Sequence, residues 1–438
     1  MLKKLHVDSA TLKKFLVVCI SSEFIYYVYA IRNTLYTPYR EMLGLSNTQL
    51  GMVLTIMGWV AFFGGIPSAW VLNRFSARKL QAINLSLSGL TCFYMISGKV
   101  TYAGMLVVGV IWGFTLEAFY WGAVTKSVRC MFADDRQGIA FGSMEMTRGL
   151  TNVIENMIFV SVFAWMGETL FGMRVIMGIV GILLILMAVG VWVLLPEEEY
   201  LHSVTNAGKN KESLKGAIAC LKIPQLWLAG FMGMGVYAVY IGTSYFQPFL
   251  EDIFSVPTIL VSIFAIVSTS YVRMFAGPVS GVIGNKVFKS TAYWMRILFA
   301  VGVLMLVGIV ASPKTAGMVW PVTILLVVLQ IVVFMLRGVY YAPIGESGIP
   351  REVSGSAMAI AILLIQSPMC WAYVVYAALI DRYNSTITGY KWMFIVMACL
   401  YGIGFIASSI LIAVIKKRGL KVNVAVKAED KKPSSQTD

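Results

Sequence analysis

Charge is what this sequence has least of. Of its 438 residues, 13% are Asp, Glu, Lys or Arg, against roughly 25% in a soluble domain. So few charges cannot coat a water-facing surface. Hydrophobic residues make up 58% and the mean hydropathy is +0.78, so the solvent that fits this chain is a bilayer. Histidine is scarcer still. His6 and His202 are the only two, both outside apolar runs, which leaves no intramembrane imidazole to move protons. The six cysteines (Cys19, Cys92, Cys130, Cys220, Cys370, Cys399) lie in or beside apolar runs without a CxxC spacing. They read as packing residues, not metal ligands. No Walker A, HExxH or GxSxG sequence occurs, so neither an ATP-driven pump nor an enzyme is expected, and no cofactor. The net charge of +14 is spread over short stretches between apolar runs. That excludes a nucleic-acid face, where basic residues gather on one soluble surface.

What is abundant is long apolar runs. A span needs ~20 mainly apolar residues. Such runs are found near 15–36, 48–72, 80–97, 103–125, 138–165, 172–195, 225–248, 257–283, 290–311, 318–342, 354–380 and 390–415. The expected fold is therefore an all-α membrane protein of twelve transmembrane helices. Residues 1–195 form one six-helix bundle and 223–415 a second. A polar loop at 196–222, holding Glu197, Glu198, Glu199, Lys209, Lys211 and Glu212, joins them, and a Lys-rich tail runs from 416 to 438. Lys3, Lys4, Lys13 and Lys14 precede the first run with no cleavage site after it, so that span is expected to stay in the membrane.

Lys and Arg set the orientation. With the N-terminus inside, 24 of them fall on cytoplasmic segments and 6 on external ones. Both termini are then cytoplasmic, in a multi-pass protein of the cytoplasmic (inner) membrane.

The two halves repeat one another. Tyr36-Thr37-Pro38-Tyr39-Arg40-Glu41 after the first run matches Phe246-Gln247-Pro248-Phe249-Leu250-Glu251 after the seventh. Gly65, Ser68, Asn73 and Arg74 match Gly277, Ser280, Asn285 and Lys286, each at an offset of 212. Parallel repeats with a site between them describe one large class of carrier.

The segment Gly65-Ile66-Pro67-Ser68-Ala69-Trp70-Val71-Leu72-Asn73-Arg74-Phe75-Ser76-Ala77-Arg78-Lys79 resembles the loop motif between the second and third helices of the major facilitator superfamily. Asn73 stands where that family carries Asp, and Ser76 where it carries Gly. The resemblance implies two pseudo-symmetric six-helix bundles, alternating access, and a gating role for Gly65, Asn73, Arg74, Arg78, Asn285 and Lys286. Tyr26-Tyr27 through Arg32-Asn33, with Pro38-Tyr39, Gly44 and Leu50-Gly51, is similar to the first helix of the organophosphate and sugar-acid carriers. In those branches an Arg of this helix meets an anionic group. The fifth-helix motif of drug antiporters is absent, since 146–160 reads MTRGLTNVIENMIFV.

Ionisable residues within spans cost ~2.5–3.5 kcal/mol each at mid-membrane and mark pathways. Here they are Glu23 and Arg32, Glu117, Glu145, Arg148 and Glu155, Arg273, and Arg337. Glu145, Arg148, Asn152 and Glu155 follow a 3, 4, 3 spacing and share one helix face, which serves either a cavity or an interhelical lock. The expected substrate-binding residues are Arg32, Tyr27, Glu117, Tyr120, Arg148, Asn152, Tyr240, Arg273, Arg337 and Tyr341. Glu23, Glu117, Glu145 and Glu155 are the proton-coupling candidates. Arginines suit carboxylate or phosphate, so the expected partner is a small organic anion, either a sugar acid or a phosphorylated compound. The coupling ion stays open among proton, sodium and a counter-anion, and the carrier is expected to act as a monomer. Two other readings stand beside this one: a proton-coupled carrier for a neutral sugar or nucleoside, and a non-transporting sensor with a transporter fold.

Overall fold

The structure is a computed structural model that describes residues 8–132, 137–196, 223–346 and 354–417. Among these residues it is helical throughout, with no strand. The helices group as α1 Ser9–Asn33, α2 Asn47–Arg74, α3 Ala77–Ile96, α4 Tyr102–Met131, α5 Gln137–Trp165, α6 Leu170–Leu194 and α7 Pro224–Phe254. After these, α8 runs through Thr258–Ala265, Ile266–Tyr271 and Val272–Val282. Then come α9 Thr291–Ala311, α10 Val319–Val339, α11 in two pieces (Ser354–Gln366 and Ala372–Arg382), and α12 Ile387–Lys417. One helical group thus stands at each expected run. The connection expected at 196–222 and the tail from 418 lie outside the described residues, apart from Pro196.

Nine helices among the described residues are long and apolar enough to cross a membrane, or ten if the bent α8 counts as one span. Two fall short for a shared reason: α3 and α5 turn polar side chains inward. Gln81 of α3 donates to Ser127 Oγ of α4 at 2.7 Å, and Trp112 of α4 donates back to Thr91 Oγ1 at 3.0 Å. Such bonds offset the cost of burying polar groups away from water. Outward faces are apolar instead: Trp165, Trp320 and Phe171 are 86%, 75% and 66% exposed. In water these would be large sticky patches. In lipid they are the surface that the solvent wants.

Helix ends are built by local rules. Ser46 caps α2 in a capping box with Gln49, and Gly44, at φ 64°, supplies the left-handed turn just before it. Ser76, the residue that replaces the motif glycine, caps α3 by accepting from Lys79 N. Glu346 accepts from Thr291 N at 2.6 Å and Ser290 Oγ at 3.1 Å, so it closes the start of α9.

Two glycine contacts fix how helices cross. A Cβ on Gly58 of α2 would collide with the Met369 carbonyl oxygen, so α2 rests directly on the break in α11. A Cβ on Gly338, in α10, would collide with the Gly277 Cα of α8. Backbone meets backbone there, which only glycine permits.

Among the described residues, hydrogen bonds between the first six helices and the last six are densest at one end, the end of the 44, 255 and 383 turns. Asp381 accepts from Asn47 Nδ2 at 2.7 Å and from Thr48 N at 2.6 Å. Tyr36 N donates to Gln247 Oε1 at 3.2 Å, and Thr37 Oγ1 to Glu251 Oε2 at 2.5 Å. Ser262 Oγ donates to the Thr34 carbonyl at 2.5 Å, and Ser244 Oγ to Asn33 Oδ1 at 3.1 Å. The expected repeat Tyr36–Glu41 with Phe246–Glu251 thus meets itself across the middle of the molecule.

Candidate substrate cavity

Above that closed end lies a central cavity of about 680 Å³. Its walls come from α1, α4, α5, α7, α8, α10 and α11. Irregular turns bring the polar groups to it. α1 breaks after Phe24, restarts at Tyr27–Ala30 and ends in a 3₁₀ turn, Ile31–Asn33. That sequence of turns points Glu23, Tyr26, Tyr29, Arg32 and Asn33 at the cavity. In α4 a π-helical turn, Gly113–Ala118, carries Glu117. In α8 a second π turn, Ile266–Tyr271, ends two residues before Arg273. Wide turns of this kind shift the register of the next helical turn and recur at functional sites.

Two guanidinium groups in the cavity have no acid beside them. Arg32 is 2% exposed. It lies 4.9 Å from the Tyr373 ring and 5.8 Å from the Tyr29 ring. Its Nε and Nη1 are buried without a hydrogen-bond partner. Arg337 lies 3.7 Å over the Tyr240 ring and 5.9 Å from that of Tyr237, with Nη1 likewise unpartnered. Among the described residues no carboxylate comes within ion-pair distance of either. Aromatic faces attract such cations but leave Nε and Nη1 of Arg32 and Nη1 of Arg337 unused.

The other two guanidiniums are paired. Glu23 Oε2 lies 2.8 Å from Arg148 and Oε1 lies 3.5 Å from Arg273. The shorter contact is one of charge, without hydrogen-bond alignment, so Oε2 still lacks a bonded donor. Arg148 also holds Glu145 at 2.9 Å and sits 4.7 Å over the Trp121 ring. Glu117 accepts from the Tyr29 hydroxyl at 3.3 Å. Asn152 donates to Glu155 at 3.2 Å and accepts from Ser270 Oγ of α8 at 2.7 Å.

The cavity brings together Glu23, Arg32, Glu117, Glu145, Arg148, Asn152, Tyr240, Arg273, Arg337 and Tyr341. Three residues expected at the site lie elsewhere. Tyr27 packs against Phe24 and Phe159, with its hydroxyl on Asn156 at 3.4 Å. Tyr120 is fully buried with an unpartnered hydroxyl. Glu155 is buried behind Asn152. Conversely, Asn156, Ser244, Thr269, Gln366 and Tyr373 line the cavity although no sequence signal marks them. Asn156 falls just off the 3, 4, 3 stripe, and Tyr373 sits on α11, which carries no charge at mid-span to draw attention.

The residues expected to gate lie at the far end from the closed contacts. Gly65, Asn73 and Arg74 end α2, with Arg74 5.3 Å over Trp70. Arg78 donates to the Leu195 carbonyl at 3.5 Å and lies over Trp192, which joins α3 to the end of α6. Lys126 Nζ donates to the Leu72 carbonyl at 3.1 Å. Lys286 belongs to a π turn, Ile283–Val287. The side chains of Asn73 and Asn285 lie outside the described residues.

Comparison with known proteins agrees with this architecture. The chain is 28% identical over 395 residues to the inner membrane protein YihN of Escherichia coli K12, covering 90% of this chain and 93% of that one. It is 24% identical over 357 residues to the inner membrane protein YqcE of the same organism, covering 80% and 82%. Its fold is similar to that of the nucleoside transporter NupG, with a TM-score of 0.70, 16% identity, and coverage of 93% and 100%. It is also similar to a D-xylose–proton symporter, with a TM-score of 0.63, 14% identity, and coverage of 92% and 96%. The profile of the Major Facilitator Superfamily matches residues 18–373, and with the helical architecture and the central cavity this establishes the chain as a membrane transporter of that superfamily.

Proposed function

We propose that this transporter carries a small organic anion, a sugar acid or a phosphorylated compound, by alternating access between two six-helix halves, 1–195 and 223–415. The single observation that carries the reading is the pair of acid-free guanidiniums, Arg32 and Arg337, facing one cavity from opposite halves. A buried cation with unused donors is costly unless a counter-charge arrives. A carboxylate or phosphate supplies that charge and fits the guanidinium fork. Tyr29, Tyr237, Tyr240 and Tyr373, with Asn33, Asn152 and Asn156, offer flat faces and hydrogen bonds to hydroxyl groups. The similarity to nucleoside and xylose carriers is below 25% identity and supports the fold alone.

The orientation that goes with this reading puts both termini in the cytoplasm of the inner membrane, and the cavity then opens inward with its outer end closed. Thermal-shift screening of the purified protein against sugar acids, phosphate esters, neutral sugars and nucleosides tests it, because a ligand of the folded state raises the melting point. Stabilisation by anions, lost in Arg32→Gln and in Arg337→Gln, is the expected result. Stabilisation by neutral compounds only would reject it.

A further inference from the structure

Among the described residues Glu23 is the one carboxylate shared by two arginines, and the two are not equally placed. Arg148 has a second acid, Glu145, at 2.9 Å. Arg273 has Glu23 at 3.5 Å and no other carboxylate in ion-pair range among the described residues. Arg273 is also the more open of the two, 37% exposed at its side chain against 11% for Arg148. Both face the same cavity as Arg32 and Arg337. The charged residues on the cavity wall are therefore four arginines and three carboxylates, Glu23, Glu117 and Glu145.

We infer that Glu23 takes up the proton that travels with the anion, and that its protonation hands Arg273 to the substrate. This rests on the organic-anion reading above. The exchange is balanced. A proton from the side on which the cavity is open adds to Glu23 and neutralises it. Arg148 keeps Glu145. Arg273 loses its only acid among the described residues and takes the incoming anion as its counter-charge, so with a monoanion cavity charge is unchanged once proton and anion are both bound. Opening on the other side releases both, and Glu23 recovers Arg273. The pair also spans the two halves, α1 with α8, so the rearrangement is coupled to the surfaces that must move. Titratable and charged groups surround Glu23 from each element packed there. α5 presents Glu145, Arg148 and Glu155, α4 presents Glu117 and Tyr120, α8 presents Arg273, and α1 itself adds Tyr26 and Cys19. α6 carries Arg174 alone, near its opposite end.

The test is calorimetric titration of the purified full chain with gluconate, whose single charge is fixed between pH 5.5 and 8, and with glycerol 3-phosphate at pH 5.5, below the second ionisation of its phosphate at ~6. One proton bound per anion makes the wild-type affinity for gluconate weaken by up to about tenfold per pH unit as pH rises. Glu23→Gln, which leaves Arg148 on Glu145, is expected to bind with a flat pH profile. In proteoliposomes it should exchange the anion across the bilayer yet fail to accumulate it against a pH gradient. Arg273→Gln added to Glu23→Gln should remove at least tenfold of that affinity. Retention of the wild-type pH slope in Glu23→Gln, or its loss in Glu117→Gln instead, overturns the assignment while leaving anion transport standing. Failure of the wild type to bind either anion at any pH rejects the anion reading and this inference together.

Discussion

Arg32 and Arg337 are the residues on which recognition turns. Each is packed on tyrosine faces with N–H groups left over. Hydrogen bonds to a charged partner are worth about 1.5–3 kcal/mol each, roughly ten- to 150-fold in affinity. Arg32→Gln and Arg337→Gln are therefore expected to weaken anion binding by about that range at nearly unchanged melting temperature, measured by calorimetry beside thermal unfolding. Arg337→Lys tests the geometry, because an ammonium keeps the charge but loses the planar fork; it should recover only part of the loss. Tyr27→Phe gives the contrast. Its ring lies off the cavity wall and its hydroxyl reaches only the back of Asn156, at 3.4 Å, where Thr34 Oγ1 also donates at 3.0 Å, so substrate affinity should stay within about twofold of wild type, a change under ~0.5 kcal/mol. These side chains show where sequence legibility ends. The intramembrane charges could be read off as a set. Which tyrosine of Tyr26-Tyr27 faces inward could not, because α1 breaks after Phe24 and its 3.6-residue rhythm does not carry across the break.

At the scale of elements, most helices were legible because apolar runs of span length rarely arise in a chain that must stay dissolved in water. α5 was legible both as a run and as a polar stripe along it: Glu145, Arg148 and Asn152 share the cavity, and the fourth member of the stripe, Glu155, turns behind Asn152. The π turns were not legible. Nothing in the composition of Gly113–Ala118 or Ile266–Tyr271 marks a widened turn, yet these turns position Glu117 and Arg273. The latch at the closed end is also an element-level device. Asp381 of α11 accepts from the Thr48 backbone amide and the Asn47 side chain in the first turn of α2, so its charge also meets the positive end of that helix. Such an interaction is worth about 0.3–1 kcal/mol, up to roughly fivefold in a two-state equilibrium. Asp381→Asn should shift the transporter by that order toward the form open at this end. Labelling of a cysteine placed at Thr37 with a membrane-impermeant thiol reagent reads the shift, and an unchanged labelling rate would remove the latch role.

For the whole molecule, the positive-inside count gives an expected orientation, and the repeat an expected division into two halves. The sequence could not say which end would be closed, because that depends on pairs such as Asn47 with Asp381 that lie 334 residues apart. Reporter fusions at the two termini, one active in the cytoplasm and one active outside it, are expected to place both termini inside. A terminus found outside would invert the direction in which the cavity opens. Gly338→Val bears on the molecule as a whole, since it wedges α10 off α8. Overpacking of this kind costs about 1–3 kcal/mol, and a melting temperature lowered by several degrees is the expected reading.

The glycine-on-glycine crossing of α8 and α10 has a consequence for the cargo that fits inside. Arg273 stands one turn before Gly277, and Arg337 directly precedes Gly338. Two charges so near a crossing with no room for play form the fixed jaw of a vice, and Arg32, on the other half, rides on the moving jaw. The gap between jaws changes through the cycle while the spacing within the fixed jaw does not. A cargo is thus measured twice, once by a rigid ruler and once by whether the jaws can shut on it.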